Sequence, residues 1–561
     1  MGTLAAVTVA GCHDLTTTPL LRVKLTPDSA ANAIPNSMWD SQSLHVIVRL
    51  ADQNSGQGLF TTNAHWRSSN DSIISIVQGP TCDSAYSARK AETRACLFAK
   101  MIGNDTITLV IDQPGFESAQ TTFTIQVKER WIDVAAGSSS TCAINVHQQI
   151  YCWGFALSLG TITRPAALTV PGVQFQRLFA GSLTFCALIR QPAVPYCWGS
   201  NLYGVGGLGP GVLLSYLPTQ MVSATPMSAI AIADSGALGV GDFGCGITTA
   251  RAVSCWGHLR NLNLGFSFLG QKQCDQPLIA FGEMCVYQPG FWLAPDSGLI
   301  KTSSSIAVGS SHACAVMIGD VPSLQCWGND SLAQLGNGST SAPSLFSSVS
   351  NLRGLAGDSG AVAAGGNHSC AVFAKTGADG PAYCWGENDY GEAGAWGGGA
   401  GCPKRDPSAN AHCIVATPLL LPMRFASIVA GLDFSCGLTT AGAAYCWGNN
   451  QSGQLGASSP SATCLSGSSC SDTPLPVKLD SGRTFTFLSA GTAYACGITR
   501  PDGAIFCWGT NASGQLGDGT QTKQTTPVRV AEPDSRITAQ TTSQVTRAPV
   551  RPRVISPHPR P

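Results

Sequence analysis

The chain has little charge, no long apolar run and no sustained helical periodicity. Only 11% of its 561 residues are charged, 32 basic against 32 acidic, so the dense basic footprint of a nucleic-acid binder is excluded. No apolar stretch approaches the roughly eighteen residues that a membrane-spanning helix requires. Apolar residues rarely recur at three- and four-residue spacing, while 63 glycines and 33 prolines punctuate short β-branched runs. That pattern excludes a helical bundle and argues for an all-β protein. The signatures HExxH, GxSxG and the P-loop are missing as well. Nothing in the sequence designates a catalytic residue, a metal ligand or a cofactor.

What the chain does have is cysteine, 23 of them, and a phrase repeated around it. Residues 444–456 read AYCWGNNQSGQLG, and the core of that phrase recurs as YCWG at 151–154 and 196–199, SCWG at 254–257, QCWG at 325–328, YCWG at 383–386 and 445–448, and FCWG at 506–509. A second cysteine stands 10 to 14 positions upstream of each: Cys142 before Cys152, Cys186 before Cys197, Cys245 before Cys255, Cys314 before Cys326, Cys370 before Cys384, Cys436 before Cys446 and Cys496 before Cys507. Five places before the first cysteine, six copies carry a glycine (Gly137, Gly181, Gly309, Gly365, Gly431, Gly491), and the third has Val240. Repetition of this kind marks a repeat architecture.

Separations of ten or more residues do not suit zinc knuckles, and so many thiols imply an oxidising compartment and disulfide pairing. Seven pairs fall within the repeats. Four more, Cys82 with Cys96, Cys274 with Cys285, Cys402 with Cys413 and Cys464 with Cys470, leave only Cys12. In the sixth copy SIVAG, SCGLT and AYCWG read as strands and TAGA as a turn, so the two cysteines oppose each other across a hairpin. Opposed positions of an antiparallel pair lie about 4.5–5.5 Å apart, within the reach of a disulfide. Alternation sends Cys446 to one face of its strand and Tyr445 and Trp447 to the other, so both faces are apolar and both must be covered. Small sheets stacked radially about an axis meet that requirement.

The stretches CGLTTAGAAYCWGNNQSGQLG (436–456), CGITRPDGAIFCWGTNASGQLG (496–517) and HSCAVFAKTGADGPAYCWGENDYGEAG (368–394) closely resemble repeats of the regulator of chromosome condensation family. The resemblance covers residues 129–531 and implies a seven-bladed β-propeller; its cysteine pairs look like the extracytoplasmic bacterial version. The strand TTPVRVA (525–531) is expected to pair within the blade begun at Trp131, locking the last blade onto the first. Residues 18–128, with strand-length runs at 44–50, 70–77, 105–111 and 121–127, resemble a bacterial immunoglobulin-like group 2 domain, a small β-sandwich stapled by Cys82 and Cys96. Within residues 1–17, Val9-Ala10-Gly11-Cys12 resembles a lipoprotein signal that would make Cys12 the lipidated residue. The tail 532–561, rich in Pro, Thr, Gln and Arg, is expected to be disordered.

Several features that invite a functional reading are better assigned to the repeat. His312 and His368 occupy one template position, two before a cysteine, where other copies have Ser140, Thr184, Phe243, Phe434 and Tyr494. The seven motif tryptophans read as packing between blades, and Gln334, Gln454 and Gln515 as parts of blade-closing turns. Three accessory cysteine pairs begin 18 or 19 residues after a motif cysteine, so their loops leave the ring on one face. The third repeat adds VYQPGFWL (286–293), whose Tyr287, Phe291 and Trp292 form a candidate ligand-anchoring cluster. The expected function is that of a non-enzymatic, lipid-anchored protein of the bacterial cell envelope. It is monomeric, binds no nucleic acid, touches the membrane through its anchor alone and presents its disulfide-closed loops to a protein or glycan. The alternatives are a propeller lyase or hydrolase with its site at the central channel, and a structural or adhesive repeat protein.

Overall fold

The computed structural model describes residues 7–11, 21–25, 37–39, 43–49, 63–78, 92–100, 103–112, 119–156, 160–168, 170–222, 225–233, 243–258, 271–273, 284–291, 303–317, 323–341, 347–352, 359–375, 377–394, 402, 412–419, 423–457, 462–463, 469–480, 482–533 and 546–547. They form two compact units, Met1–Arg130 and Trp131–Pro561.

The first unit is all β. Ser37–Trp39, Ala119–Lys128, Gly103–Asp112 and Asn63–Ser68 make one sheet, and Ser43–Arg49, Glu92–Ala99 and Ile74–Gln78 another. Trp66, Ile74, Leu97, Ile107, Leu109, Ile125 and Val127 are buried at alternate positions, as strand periodicity requires. The buried carboxylate of Asp105 organises the SSN turn at 68–70. Its Oδ2 accepts from the Ser68 hydroxyl at 2.6 Å, and its Oδ1 accepts from the Ser69 hydroxyl and the Ser69 and Asn70 amides at 2.7, 3.0 and 3.1 Å. Val7–Gly11 pairs with Leu21–Leu25; Cys12 and Cys82 lie outside the described residues.

In the second unit, seven antiparallel sheets follow one another along the described residues, in a propeller-like arrangement. The seventh shows the plan: Thr484–Ala490, Tyr494–Arg500, Ile505–Gly509 and Gln524–Arg529 pair in chain order. The strand 525–531 was expected to complete the first sheet; instead it closes its own, with Phe506 opposite Arg529 and Cys507 opposite Val528. The first sheet needs no donated strand because residues 131–168 supply all four of its own. The last sheet meets the first through packing and hydrogen bonds. Tyr494, Ile498 and Leu516 share a core with Trp131, Val134 and Trp153, the Thr492 amide donates to the Gly137 carbonyl at 3.3 Å, and the Trp131 amide donates to the Gly503 carbonyl at 2.9 Å. In the tail, Thr546–Arg547 adds a short outer strand to the second sheet opposite Val212 and Leu214.

In six repeats the first strand is followed directly by the glycine five places before the first cysteine, for a steric reason. A Cβ on Gly491 would lie 2.2 Å from the Gly137 carbonyl oxygen, one on Gly431 2.5 Å from that of Gly491, and one on Gly365 2.3 Å from that of Gly431. Each glycine thus lets its backbone approach the next repeat. The third repeat departs from this: Ala231 is opposite Cys245, so the equivalent position is Ala233, six residues after Met227 as Gly137 is six after Trp131, and not Val240. A longer connection between its first two strands misplaces a count made back from the cysteine.

Candidate functional site

The structure pairs Cys142 with Cys152, Cys186 with Cys197, Cys245 with Cys255, Cys314 with Cys326, Cys370 with Cys384, Cys436 with Cys446 and Cys496 with Cys507, at Cα separations of 4.0–4.1 Å. In every case the two cysteines are directly opposed in register. The glycine after each motif tryptophan has φ between 93° and 114°, and at Gly154, Gly199, Gly386, Gly448 and Gly509 a Cβ would come within 2.1–2.6 Å of the neighbouring strand. That is why the phrase ends in glycine.

The motif tryptophans are latches between sheets. Trp385 Nε1 donates to the Gln334 carbonyl at 2.9 Å, Trp447 to Glu392 at 2.9 Å, Trp508 to Gln454 at 2.9 Å, Trp153 to Gln515 at 2.9 Å and Trp256 to Val205 at 2.7 Å. Each acceptor belongs to the closing turn of the preceding repeat, the seventh preceding the first. The turn is held by an Asn or Asp three residues after its own tryptophan. The side-chain oxygens of Asn201, Asp330, Asn388, Asn450 and Asn511 accept from the amides of Gly206, Leu335, Ala393, Leu455 and Leu516 at 2.8–3.1 Å. The Gln334, Gln454 and Gln515 side chains fold back on the amides of Leu332, Ser452 and Ser513 at 2.8–2.9 Å. The Asn position was legible in the sequence as a fixed offset from Trp; Ala156 and Leu259 occupy it in the irregular first and third repeats.

The two template histidines are buried between sheets. His312 Nε2 lies 2.7 Å from the Ser369 hydroxyl, and His368 Nε2 2.9 Å from that of Ser435. Each couples the position two before a first cysteine to the position one before the first cysteine of the next repeat. Tyr494 does the same to Thr141, at 2.9 Å, across the seventh and first sheets. Where Phe434 and Phe243 hold the first position, alanines (Ala495, Ala313) hold the second. Burial pushes the His312 imidazole down to about 3, helped by His368, and the His368 imidazole down to about 4, so both are neutral. Burial also pushes Asp330 up to about 6. Glu392, which stands where other turns have Gln, is held well above the carboxylate range by burial and then by Glu387; its Oε2 accepts from the Tyr390 amide at 2.8 Å. These groups serve the interfaces. Among the described residues no three His, Cys, Asp or Glu side chains come together as a metal site.

The accessory bridges tie loops that run from a closing turn to a fourth strand. Cys402 is bonded to Cys413, which opens the strand His412–Pro418 opposite Gly386. Cys470 is disulfide-bonded and lies opposite Asn449 at the start of the sixth sheet's fourth strand; Cys464 and Cys274 lie outside the described residues. Cys285 and Cys96 sit in strands, opposite Lys272 and His45. The aromatic cluster requires a correction. Tyr287 and Phe291 belong to Met284–Phe291, the fourth strand of the third sheet, with Phe291 opposite Ser254, and are not in an inserted loop. Trp292 lies outside the described residues.

Residues 425–454 match a family model described as Regulator of chromosome condensation (RCC1) repeat, and residues 441–498 and 502–545 match a second of the same description. Among curated proteins, the chain is 30% identical over 167 residues to the human Probable E3 ubiquitin-protein ligase HERC3, covering 30% of this chain and 14% of that protein. It is 28% identical over 225 residues to the Ultraviolet-B receptor UVR8 of Arabidopsis thaliana, covering 40% and 45%. The matches thus span less than half the length of these relatives. Among solved structures, Prp20p from Saccharomyces cerevisiae superposes with a TM-score of 0.52 at 19% identity, over 69% of this chain and 87% of that one. Human WBSCR16 gives 0.50 at 17%, over 66% and 85%. The chain carries RCC1 repeats in an all-β, propeller-like fold. Its many disulfides fit an oxidising environment, and among the described residues no helix is long and apolar enough to cross a membrane.

Proposed function

We propose that the chain is a non-enzymatic binding protein of the bacterial cell envelope, which presents the closing-turn face of a closed seven-bladed propeller to a protein or glycan. Residues 18–128 are an immunoglobulin-like spacer, and Cys12 carries the lipid that holds the protein at the membrane. Closure is supported by the hydrogen bonds from Thr492 to Gly137 and from Trp153 to Gln515, which join the seventh sheet to the first. The observation that carries the reading is the bridge from Cys402 to Cys413, which closes an inserted loop between closing turn and fourth strand. A loop tied at its base loses less entropy when it binds. The relatives include ubiquitin ligases and an ultraviolet-B receptor, unlike activities around a shared repeat, and no chemistry of theirs is assigned here.

The test compares the immobilised chain with variants in which residues 395–411 or 458–468 are replaced by short glycine linkers. Purified extracellular proteins and glycans are offered to each. Saturable binding by the parent that falls at least about tenfold on loop trimming supports the proposal. Binding that survives both trims, or turnover of an offered glycan, counts against it.

A further inference from the structure

We infer that the cavity between the first and second sheets, at the hairpin end of the strands, is a binding site for a carboxylated sugar ring, a uronic acid unit. This end is opposite the closing turns, so the site is independent of the loop face proposed above.

The cavity has a volume of about 600 Å³, in the range of small-ligand sites. The molecule contains its own control for why it is open. In three repeats a side chain stands two residues before a first-strand phenylalanine: Val173 before Phe175, Met423 before Phe425, Arg483 before Phe485. At the seventh sheet Arg483 fills the space. Its guanidinium carbon lies 5.6 Å from the centroid of the Phe506 ring, and its Nε donates to Asp502 Oδ2 at 2.8 Å. Phe506 immediately precedes Cys507 as Tyr196 immediately precedes Cys197. At the second sheet the short Val173 reaches no such cover, and Tyr196 lines the open cavity, with Phe175 against it edge-on at 5.8 Å.

The rim determines what fits. Arg190 and His147 line it with Gln149, Gln174 and Gln191, and no Asp or Glu does. Arg190 is exposed and has no ion pair among the described residues, so its planar fork is free for a carboxylate. The primary amides of Gln174 and Gln191 offer paired donors and acceptors to vicinal hydroxyls, while Gln149, whose Oε1 accepts from the Asn145 side chain at 3.3 Å, offers its NH2 as a donor. The Tyr196 ring and the Val173 and Leu168 side chains supply the apolar surface on which the C–H face of a pyranose lies. Cationic ligands are disfavoured by the same rim.

The test is calorimetric titration of the full chain with digalacturonate, its neutral counterpart digalactose, and tartrate, which bears hydroxyls and carboxylates without a ring. Digalacturonate is expected to bind saturably, with the other two weaker by about tenfold or more. Arg190→Gln, at an exposed position, is expected to weaken digalacturonate by about tenfold. Val173→Met, the residue the sixth repeat uses at this place, is expected to abolish binding with the melting temperature unchanged. No saturable digalacturonate binding overturns the proposal. So does binding that Arg190→Gln weakens and Val173→Met leaves intact, which would be ion exchange at the surface, and so does equal affinity for tartrate. Loop trimming leaves uronate binding unchanged, so this site and the loop face fail separately.

Discussion

The fourth and fifth repeats and the sixth and seventh are built to one geometry with different chemistry. In both pairs the tryptophan of one repeat donates to the closing turn of the repeat before it, at the same 2.9 Å for Trp385 and for Trp508. In both the turn is held from the residue three after its tryptophan. The sixth and seventh hold it with neutral Asn450, Gln454, Asn511 and Gln515, and place Phe434 and Tyr494 at the inner position. The fourth and fifth substitute Asp330 for the Asn, Glu392 for the Gln, and His312 and His368 for the aromatics. The backbone and the latch thus fix the shape of an interface, while its response to pH is set by a few side chains that the shape tolerates in either form.

Reduction is expected to erase the comparison. Each bridge closes 10 to 14 residues and contributes about 2–3 kcal/mol by loop closure, so strong reductant is expected to lower the thermal midpoint of all the repeats together. Calorimetry with and without reductant measures this, and an unchanged melting curve would contradict it.

Acid is expected to sharpen the comparison. The folded imidazoles titrate at about 3 and about 4, below the unfolded value near 6.5. Between those limits the unfolded chain binds the extra protons, so stability falls as pH drops from about 6.5. At pH 4 the loss is about 3 kcal/mol for each histidine. Replacing His312 and Ser369 together by Phe and Ala, the couple the sixth and seventh repeats already use, is expected to remove one share of it. Hydrogen exchange of residues 303–374 against residues 484–529, followed from pH 7 to pH 4, reads the difference directly.

The latch is expected to act equally in both pairs. Trp385→Phe and Trp508→Phe each remove a buried hydrogen bond, at a cost of about 1–3 kcal/mol, although the Gln334 carbonyl keeps a long contact from the Ser369 hydroxyl at 3.5 Å. A denaturant titration giving values within a few tenths of a kcal/mol of each other supports a common geometry; a large disparity breaks it.

The smallest effects belong to the carboxyls. Their folded values lie above the unfolded ones, so they bind protons more tightly in the folded chain, and the stability this supplies is lost as pH rises through the folded values. Glu392→Gln and Asp330→Asn are therefore expected to stabilise the chain at pH 8 and to do nothing, or slight harm, near pH 4. Stabilisation that does not depend on pH would argue that ionisation is not the difference.

The strands, the opposed cysteines and the number of repeats were legible in the sequence because they depend on contacts within about fifteen residues. The strand at 284–291 was not legible in the sequence, because VYQPGF carries no clean alternation and only its pairing with Ser254, Cys255 and Gly257 places it beside the motif strand. The capping Asn recurs three residues after the tryptophan and meets its partner amide five residues on, within its own repeat; the His–Ser couples were missed although their positions recur, since each hydroxyl belongs to the next repeat. The missing plug at Val173 is silent by itself and gains meaning only beside Arg483.

By itself, then, the sequence determined a chain of disulfide-stapled antiparallel sheets, because alternation and hairpin register are local consequences of residue order. The tertiary structure decided which side chains speak to the next repeat, how the last sheet meets the first, and where a space is left unfilled. Those depend on partners 50 to 60 residues away for His312 and Trp385, and 362 away for Trp153. The spacing recurs with the repeat but does not say which atoms meet, and only packing, with its demand that every buried polar group find a partner, selects among them.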